Sequence, residues 1–314
     1  MSVDTQQFEV YKALPESSIR LLYLQPAKEL TAPLIGTLEI VRLLEEPKYE
    51  ALSYAWDGAF NEADARGVLP VDKAIPLPPA TMQLERRLFS INGNLFHALR
   101  RLRHRSQTRV LWIDALCVDQ GNDLERSAQV AMMAKIYSSA SQVIVWLGED
   151  SDDRDGKLFF ELCRRHVQML RTPWVHPWRK LLDYVVERIN RRFGDSKGYW
   201  SSQDRLRPFF CLDAKKRYAA LQKFGRRRYL FRRWCAQEIA VARDIAMICG
   251  AHVLPWQVFV SHALALDRPV WHSWTYPTSD ILYYMKDLRT QHTNAFDVLL
   301  QTTQMKCSDE RDYL

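Results

Sequence analysis

The sequence predicts an α/β protein with a central, mostly parallel sheet flanked by helices, and three neighbouring segments carry that prediction. Residues 109–118 (RVLWIDALCV) and 142–148 (QVIVWLG) are continuous apolar runs, which suit strands covered on both faces. Between them, 124–139 has helical length, with Val130, Met133, Ala134 and Tyr137 as its expected inward stripe. Strand, helix, strand with short links is a βαβ unit, so the two strands should be parallel and the crossover right-handed.

The other elements follow in order. Residues 19–25 and 34–44 are apolar and β-branched enough for two N-terminal strands. The core Ala51-Leu52-Ser53-Tyr54 of YEALSYAWDG (49–58) reads as a strand ending in the turn Asp57-Gly58. Residues 59–90 lack periodicity and hold Pro70, Pro76, Pro78 and Pro79, so a loop excursion is expected. Leu95, Ala98, Leu99 and Leu102 fall on one face of a helix over 92–103. After a polar loop at 119–123, Asn122 can cap the following helix, with Glu125 in capping-box register, worth about 1 kcal/mol. Residues 150–225 read as a basic, helix-rich insertion. Beyond it come a helix at 232–244, a strand at 245–250, a helix at 254–266 with Pro255 in its first turn, and a helix at 281–305. Residues 1–314 thus form a single unit: N-terminal strands (1–48), the first part of the core (49–149), the insertion (150–225), then the rest of the core with C-terminal helices (226–314). The ending CSDERDYL has no helix stop, so further sequence is expected beyond it.

Composition narrows the function. With 47% apolar and 26% charged residues in 314, the chain is globular and needs no metal or disulfide staple. The N-terminus MSVDTQQFEV has neither a basic nor an apolar signal region and does not read as a secretory signal; the cytoplasmic expectation comes from the cysteines. The six cysteines form no CxxC and read as reduced, buried thiols. There is no zinc spacing, HExxH, GxGxxG or P-loop, so neither a metal nor a resident cofactor is expected. The longest uncharged stretch, 245–266, contains Gly250, His252, Pro255, Gln257 and His262, and reads as strand, turn and helix rather than a membrane span. Charge is uneven: residues 151–233 hold 22 Lys/Arg against 9 Asp/Glu, a net +13, and the remainder is net −6. Such a block could meet nucleic acid or an anionic membrane, or simply be a solvated insertion. Its interleaved Trp174, Trp178, Tyr184, Tyr199, Trp200, Phe209 and Phe210 suggest that it folds.

In doubly wound sheets ligands sit outside the carboxyl ends of the strands. Polar clusters follow the expected strand ends at 56–58, 114–120 and 149–150, and a fourth region enters the 232–244 helix. There Trp234 and Glu238 share a face at i, i+4. An aromatic plane beside a carboxylate suits a flat heteroaromatic leaving group next to a cationic sugar centre, as in N-glycosidic cleavage. The same spacing also arises when the Trp is core and the Glu pairs with an arginine; Arg232, Arg233 and Arg243 are close by. Asp114 could be catalytic or cap its loop, and Cys117 and Cys235 could be nucleophiles or buried structural thiols.

The ordered segments YEALSYAWDG (49–58), INGNLFHALRRLR (91–103), 111–149 with its Trp-Ile-Asp-Ala, Gln-x-x-x-x-Glu-Arg and Trp-Leu-Gly elements, RRWCAQEIAVARDIAMICG (232–250) and CSDERD (307–312) strongly resemble the fungal heterokaryon-incompatibility (HET) domain. The family is associated with nonself recognition and regulated cell death, its domains acting as effectors attached to sensor or regulatory modules. It looks in turn like a diverged TIR domain, which implies a TIR-like (flavodoxin-like) sheet. Residues 234–238 resemble the TIR Trp-Cys-x-x-Glu segment, whose Glu is catalytic in TIR domains that cleave NAD. The resemblance thus implies Glu238 as the group stabilising the ribosyl cation and Trp234 bordering the nicotinamide. It also implies Tyr54, Trp56 and Asp57 at the mouth, and Asp114, Gln120 and Arg126 shaping a loop, with Arg126 able to meet phosphate. Glu238 must be ionised for this, and strong burial opposes it. Asp57 stands before Gly58 where the family has Gly directly, Asp119 stands where Asn is usual, and the insertion precedes the Trp-Cys-x-x-Glu helix. NAD enters as a substrate. Two functions stay open: an NAD-cleaving effector, and a non-enzymatic module that self-associates and recruits cell-death partners.

Overall fold

Among the described residues a nine-stranded mixed sheet forms the frame, with strand order β5-β4-β2-β1-β6-β3-β7-β8-β9. The computed structural model describes residues 10–56, 79–151, 154–171, 224, 227, 229 and 234–259. The strands are β1 (Ser18–Leu24), β2 (Ile35–Arg42), β3 (Glu50–Tyr54), β4 (Ala80–Leu84), β5 (Arg87–Ile91), β6 (Arg109–Trp112), β7 (Gln142–Trp146), β8 (Ile245–Cys249) and β9 (His252–Pro255). The helices are α1 (Gly93–Leu102), the single turn α2 (Asp114–Cys117), α3 (Asp123–Ser139), α4 (Asp155–Arg171) and α5 (Trp234–Val241).

Four strands form a contiguous parallel core: β3 pairs with β6 on one side and β7 on the other, and β7 pairs with β8; β2 and β4 form a separate, short parallel pair farther out. In chain order they lie 2-1-3-4, so the order reverses about β3, at a topological switch point. The βαβ unit β6-α3-β7 is the one its apolar runs predict. β1 is antiparallel to both β2 and β6 and extends the sheet on that side, as the two N-terminal strands required. Paired residues share a face. Ala51 pairs with Trp112 and Ser53 with Val145, and Tyr137 of α3 meets Trp112 edge-on at 5.4 Å. α3 and α5 therefore cover the Ser53 face. Tyr54 pairs with Trp146 on the opposite face, where α1 lies.

Several expectations are corrected. The end of the expected loop 59–90 is a hairpin, β4–β5, whose alternation buries Met82, Leu84, Phe89 and Ile91. The turn hides it: Glu85 and Arg86, neither glycine nor asparagine, both take positive φ (49° and 66°), and the Glu85 carboxylate accepts from the Leu38 N–H at 2.8 Å. Residues 57–78, with Asp57 and three of the four prolines, lie outside the described residues. The run 109–118 stops being a strand at Trp112 and turns into α2, whose first residue, Asp114, accepts from the Ala115 N–H at 2.7 Å. The segment expected to open a helix at 254 is instead the end of edge strand β9, pairing Leu254 with Met247 and Pro255 with Ala246; helical structure begins at Trp256. The rest of that helix, most of the 150–225 insertion and the 281–305 segment lie outside the described residues. Among the described residues no helix is long and apolar enough to cross a membrane.

α3 keeps part of its expected stripe, with Tyr137 buried and Met133 packed against the core, and shifts the rest. Gln129, Ile136 and Tyr137 are buried, whereas Val130 is 44% exposed. The buried face is partly polar because it docks on β1. Gln129 donates to the Ser18 carbonyl at 3.0 Å, and Glu125 holds the Arg20 guanidinium at 2.5 and 3.0 Å. Asn122 caps the helix, accepting from the Glu125 N–H at 3.2 Å. Glu125 does not close the capping box: its carboxylate binds Arg20 and the Asp119 N–H (2.8 Å) instead. Arg20 also donates to the carbonyls of Cys117 and Lys12 and lies over the Tyr11 ring.

Side chains of Arg20 and Glu125 are 2% and 9% exposed, so removing one partner strands a buried charge. Arg20→Met should cost about 3 kcal/mol or more of unfolding free energy in urea titration at pH 7. Burial pushes the Glu125 carboxyl up, but the Arg20 and Asp119 hydrogen bonds pull it further, to below its ordinary value. The pair therefore stabilises the fold fully above about pH 4.3 and loses its effect as pH falls through the lower folded value. Glu125→Gln should flatten the acid limb of stability against pH; an unchanged limb would contradict the pairing.

Candidate functional site

The site grows out of the central strand. β3 is covered on both faces and paired with β6 at its start and with β7 along its length; Ser53, paired with Val145, sits at 1% exposure. Its hydroxyl donates to Glu238 Oε2 and lies 2.8 Å from the Tyr229 hydroxyl. Glu238 is carried by α5 and is 4% exposed; Tyr229, on the segment leading into α5, is 3% exposed. Desolvating a carboxylate is costly, and hydroxyl donors aimed at it offset part of that cost. Ser53 has one proton. Because it is given to Glu238, the Ser53–Tyr229 bond is donated by Tyr229, and the two bonds run in series from Tyr229 through Ser53 to the carboxylate.

A second group stands just beyond the strand ends. Trp56 Nε1 donates to Asp114 Oδ2 at 2.9 Å, while the other Asp114 oxygen takes the Ala115 N–H. Gln120 Nε2 donates to the Asp114 carbonyl at 2.9 Å, and Arg126 Nη1 lies 3.4 Å from the Gln120 carbonyl. Arg126 is half-exposed and pairs with Asp123 at 2.9 Å. Thus Trp56, Asp114, Gln120 and Arg126, drawn from three sequence elements, form one connected rim after β3 and β6. Tyr54 is turned to the opposite face at 1% exposure. There Asn94, at the start of α1, donates to the Ala55 carbonyl at 2.6 Å and accepts from Trp146 Nε1 at 2.8 Å, so the end of β3 is held by polar groups on both faces. Trp234 is the first residue of α5, and its side chain, like that of Cys235, lies outside the described set.

Sequence reasoning missed Ser53 and Tyr229 as members of this site. A hydroxyl at an inward position of an otherwise apolar central strand was the available signal for Ser53. For Tyr229 there was none, because its partner lies 176 residues away. Among the described residues no group of three or more His, Cys, Asp or Glu is placed to hold a metal. Cys117, Cys163 and Cys249 are free and buried, and burial pushes the Cys117 and Cys249 thiols up to about 12. Cys117 is therefore no nucleophile at neutral pH.

These features define an α/β domain with a buried carboxylate beside the central strand, where the order of parallel strands reverses. The chain belongs to the heterokaryon incompatibility family: the family model described as Heterokaryon incompatibility protein (HET) matches residues 49–238, from the approach to β3 to Glu238 itself. The chain is similar to Heterokaryon incompatibility protein 6, OR allele, of Neurospora crassa, 28% identical over 263 residues that cover 76% of this chain and 34% of the relative. It thus spans about a third of that protein's length. No solved structure matches.

The thiol assignment is checked by alkylation. In the folded chain at pH 8, iodoacetamide should leave peptides with Cys117, Cys163 and Cys249 unmodified for hours, and in 8 M urea it should modify all three within minutes. Rapid labelling of Cys117 in the folded protein would return it to the candidates for catalysis.

Proposed function

We propose that this chain is an effector domain of fungal nonself recognition, acting in heterokaryon incompatibility to trigger regulated cell death. In this reading it has a TIR-like site and cleaves the nicotinamide–ribose bond of NAD in the cytoplasm. The observation that carries the reading is the Glu238 carboxylate, bonded to Ser53 beside the central strand at the switch point. In the reaction the C–N bond breaks and nicotinamide leaves with the electron pair. The ribosyl oxocarbenium that remains is stabilised by Glu238, and water adds to it with loss of a proton. In a water-poor site a carboxylate acts on a developing cation more strongly than it would in bulk solvent. Ser53 holds the carboxylate, Trp234 borders the nicotinamide, and Trp56 and Asp57, backed by Tyr54, form the mouth. Asp114 and Gln120 shape the loop, and Arg126 exchanges Asp123 for phosphate. NAD is the substrate and no further cofactor is invoked. Activation involves self-association, under a sensor or regulatory module in cis or in trans; nucleic acid or anionic lipid on the basic insertion is the weaker partner reading.

A second reading is favoured by one observation. Glu238 is 4% exposed and already bonded, as a structural carboxylate would be. In that reading the domain is a non-enzymatic, TIR-like module that oligomerises and recruits cell-death partners.

Nicotinamide release from NAD by the purified chain, dilute and then clustered, separates the two. Glu238→Gln is expected to lower turnover by about 10²- to 10³-fold while remaining folded, the scale of losing one electrostatic stabiliser. A loss below threefold excludes Glu238 as the catalytic group. Cell killing retained by the mutant, with no release by either protein, supports the signalling module.

A further inference from the structure

Arg227 is buried at 1% exposure, two residues before Tyr229. Its guanidinium binds both Asp155 oxygens at 2.8 and 2.9 Å and donates to the carbonyls of Leu147 and Glu149 at 2.7 and 3.0 Å. Asp155, fully buried, is the first residue of α4, where the chain leaves β7; Arg227 stands where the chain comes back toward α5. One side chain therefore ties the departing segment, the returning segment and the end of β7 together. Phe224 reinforces the tie, stacked on Phe159 of α4 with centroids 3.8 Å apart and beneath the Arg227 guanidinium at 5.6 Å. Burial pushes the Asp155 carboxyl up, but the Arg227 charge and the hydrogen bonds from Ser151 and Arg227 outweigh it and hold it below its ordinary value.

A buried ion pair adds little net stability over well-packed apolar groups; what it adds is a single orientation. Here that orientation has a target. Two residues of chain span at most about 7 Å, so the position of Arg227 limits where Tyr229 can be. Tyr229 reaches Ser53, and Ser53 holds Glu238. We infer that the Asp155–Arg227 pair is a latch that positions the candidate site: it sets Tyr229 against Ser53 and, through Ser53, fixes the Glu238 carboxylate and α5. Asp155, Arg227 and Tyr229 are positioning residues, and their catalytic consequence rests on the reading of Glu238 given above. The basic insertion between α4 and Arg227 thereby gains a route to the site, since whatever displaces its base displaces Tyr229.

Hydrogen exchange on the full 314-residue chain tests the latch without requiring activity. Asp155→Asn should speed exchange of α5 amides about tenfold, and Tyr229→Phe should do so to a similar degree. Added to Tyr229→Phe, Asp155→Asn should then have little further effect on α5, because the link is already cut. Arg101→Gln, which removes the exposed Arg101–Glu149 pair at the same end of the sheet, should leave α5 unchanged. If Asp155→Asn does not fold, Arg227→Lys, which keeps the charge and loses the fork, takes its place. The inference is overturned if Tyr229→Phe leaves α5 at the wild-type rate, or if the latch variant loosens α5 equally with and without the Tyr229 hydroxyl. Where the wild-type chain releases nicotinamide, the latch variant should lower kcat about tenfold with KM unchanged. Where it does not, the exchange results still decide the latch, and only the catalytic reading of Glu238 fails.

Discussion

A buried hydroxyl next to the carboxyl end of the central strand is the constraint on which the functional end of this domain turns. Ser53 pairs with Val145 of β7, just past the last β3–β6 pair at Ala51, and at 1% exposure its hydroxyl bonds to protein groups, Glu238 and Tyr229. An unsatisfied buried hydroxyl would cost about 1–3 kcal/mol, and an unsatisfied buried carboxylate considerably more. Ser53 and Glu238 answer each other's need, and in doing so they fix α5 over β3. A valine at 53 would have packed there without requiring any of this. The opposite face repeats the pattern, with Asn94 bridging the Ala55 carbonyl and the Trp146 indole. Polar groups inside a core serve specificity of geometry more than net stability, and they are gathered where ligands bind in sheets of this order.

The parallel core was legible because its strands are covered on both faces and read as unbroken apolar runs. β3, β7 and β8 lie within a residue or two of where those runs place them. What the sequence hid was hidden by specific residues. Glu85 and Arg86 make a hairpin turn in the left-handed region without glycine or asparagine, so β4 and β5 carried no turn signal. α3 docks through Glu125 and Gln129, and a search for an apolar stripe cannot find a polar face that is buried. Leu254 and Pro255 look like a helix start until the pairing with β8 makes them an edge strand.

The rim of the site was legible as a group, but the Ser53–Tyr229–Glu238 contact behind it was not. Trp56, Asp114, Gln120 and Arg126 come from motifs up to 70 residues apart, and their hydrogen bonds join them because β3 and β6 are neighbours. The Ser53–Glu238 bond closes 185 residues of chain, a contact no local spacing can announce. Helical spacing with Trp234 singled out Glu238 and the family resemblance gave it a role; the fold supplied its partners, Ser53 and Tyr229.

Two buried ion pairs sit at the margins of the parallel core rather than within it. Arg20–Glu125 joins the N-terminal strands to α3, and Asp155–Arg227 joins the base of the insertion to the end of β7. In both, the guanidinium also takes backbone carbonyls, so each arginine grips three partners in fixed directions. Apolar packing would leave such junctions free to slide, because one hydrophobic contact is nearly as good as the next; a fork shared among a carboxylate and two carbonyls is satisfied in one arrangement only. The additions to the core are therefore held by orientation. Since Tyr229 lies two residues from one of these forks and in hydrogen-bond contact with Ser53, the geometry around Glu238 depends on the junction with the insertion as well as on the sheet.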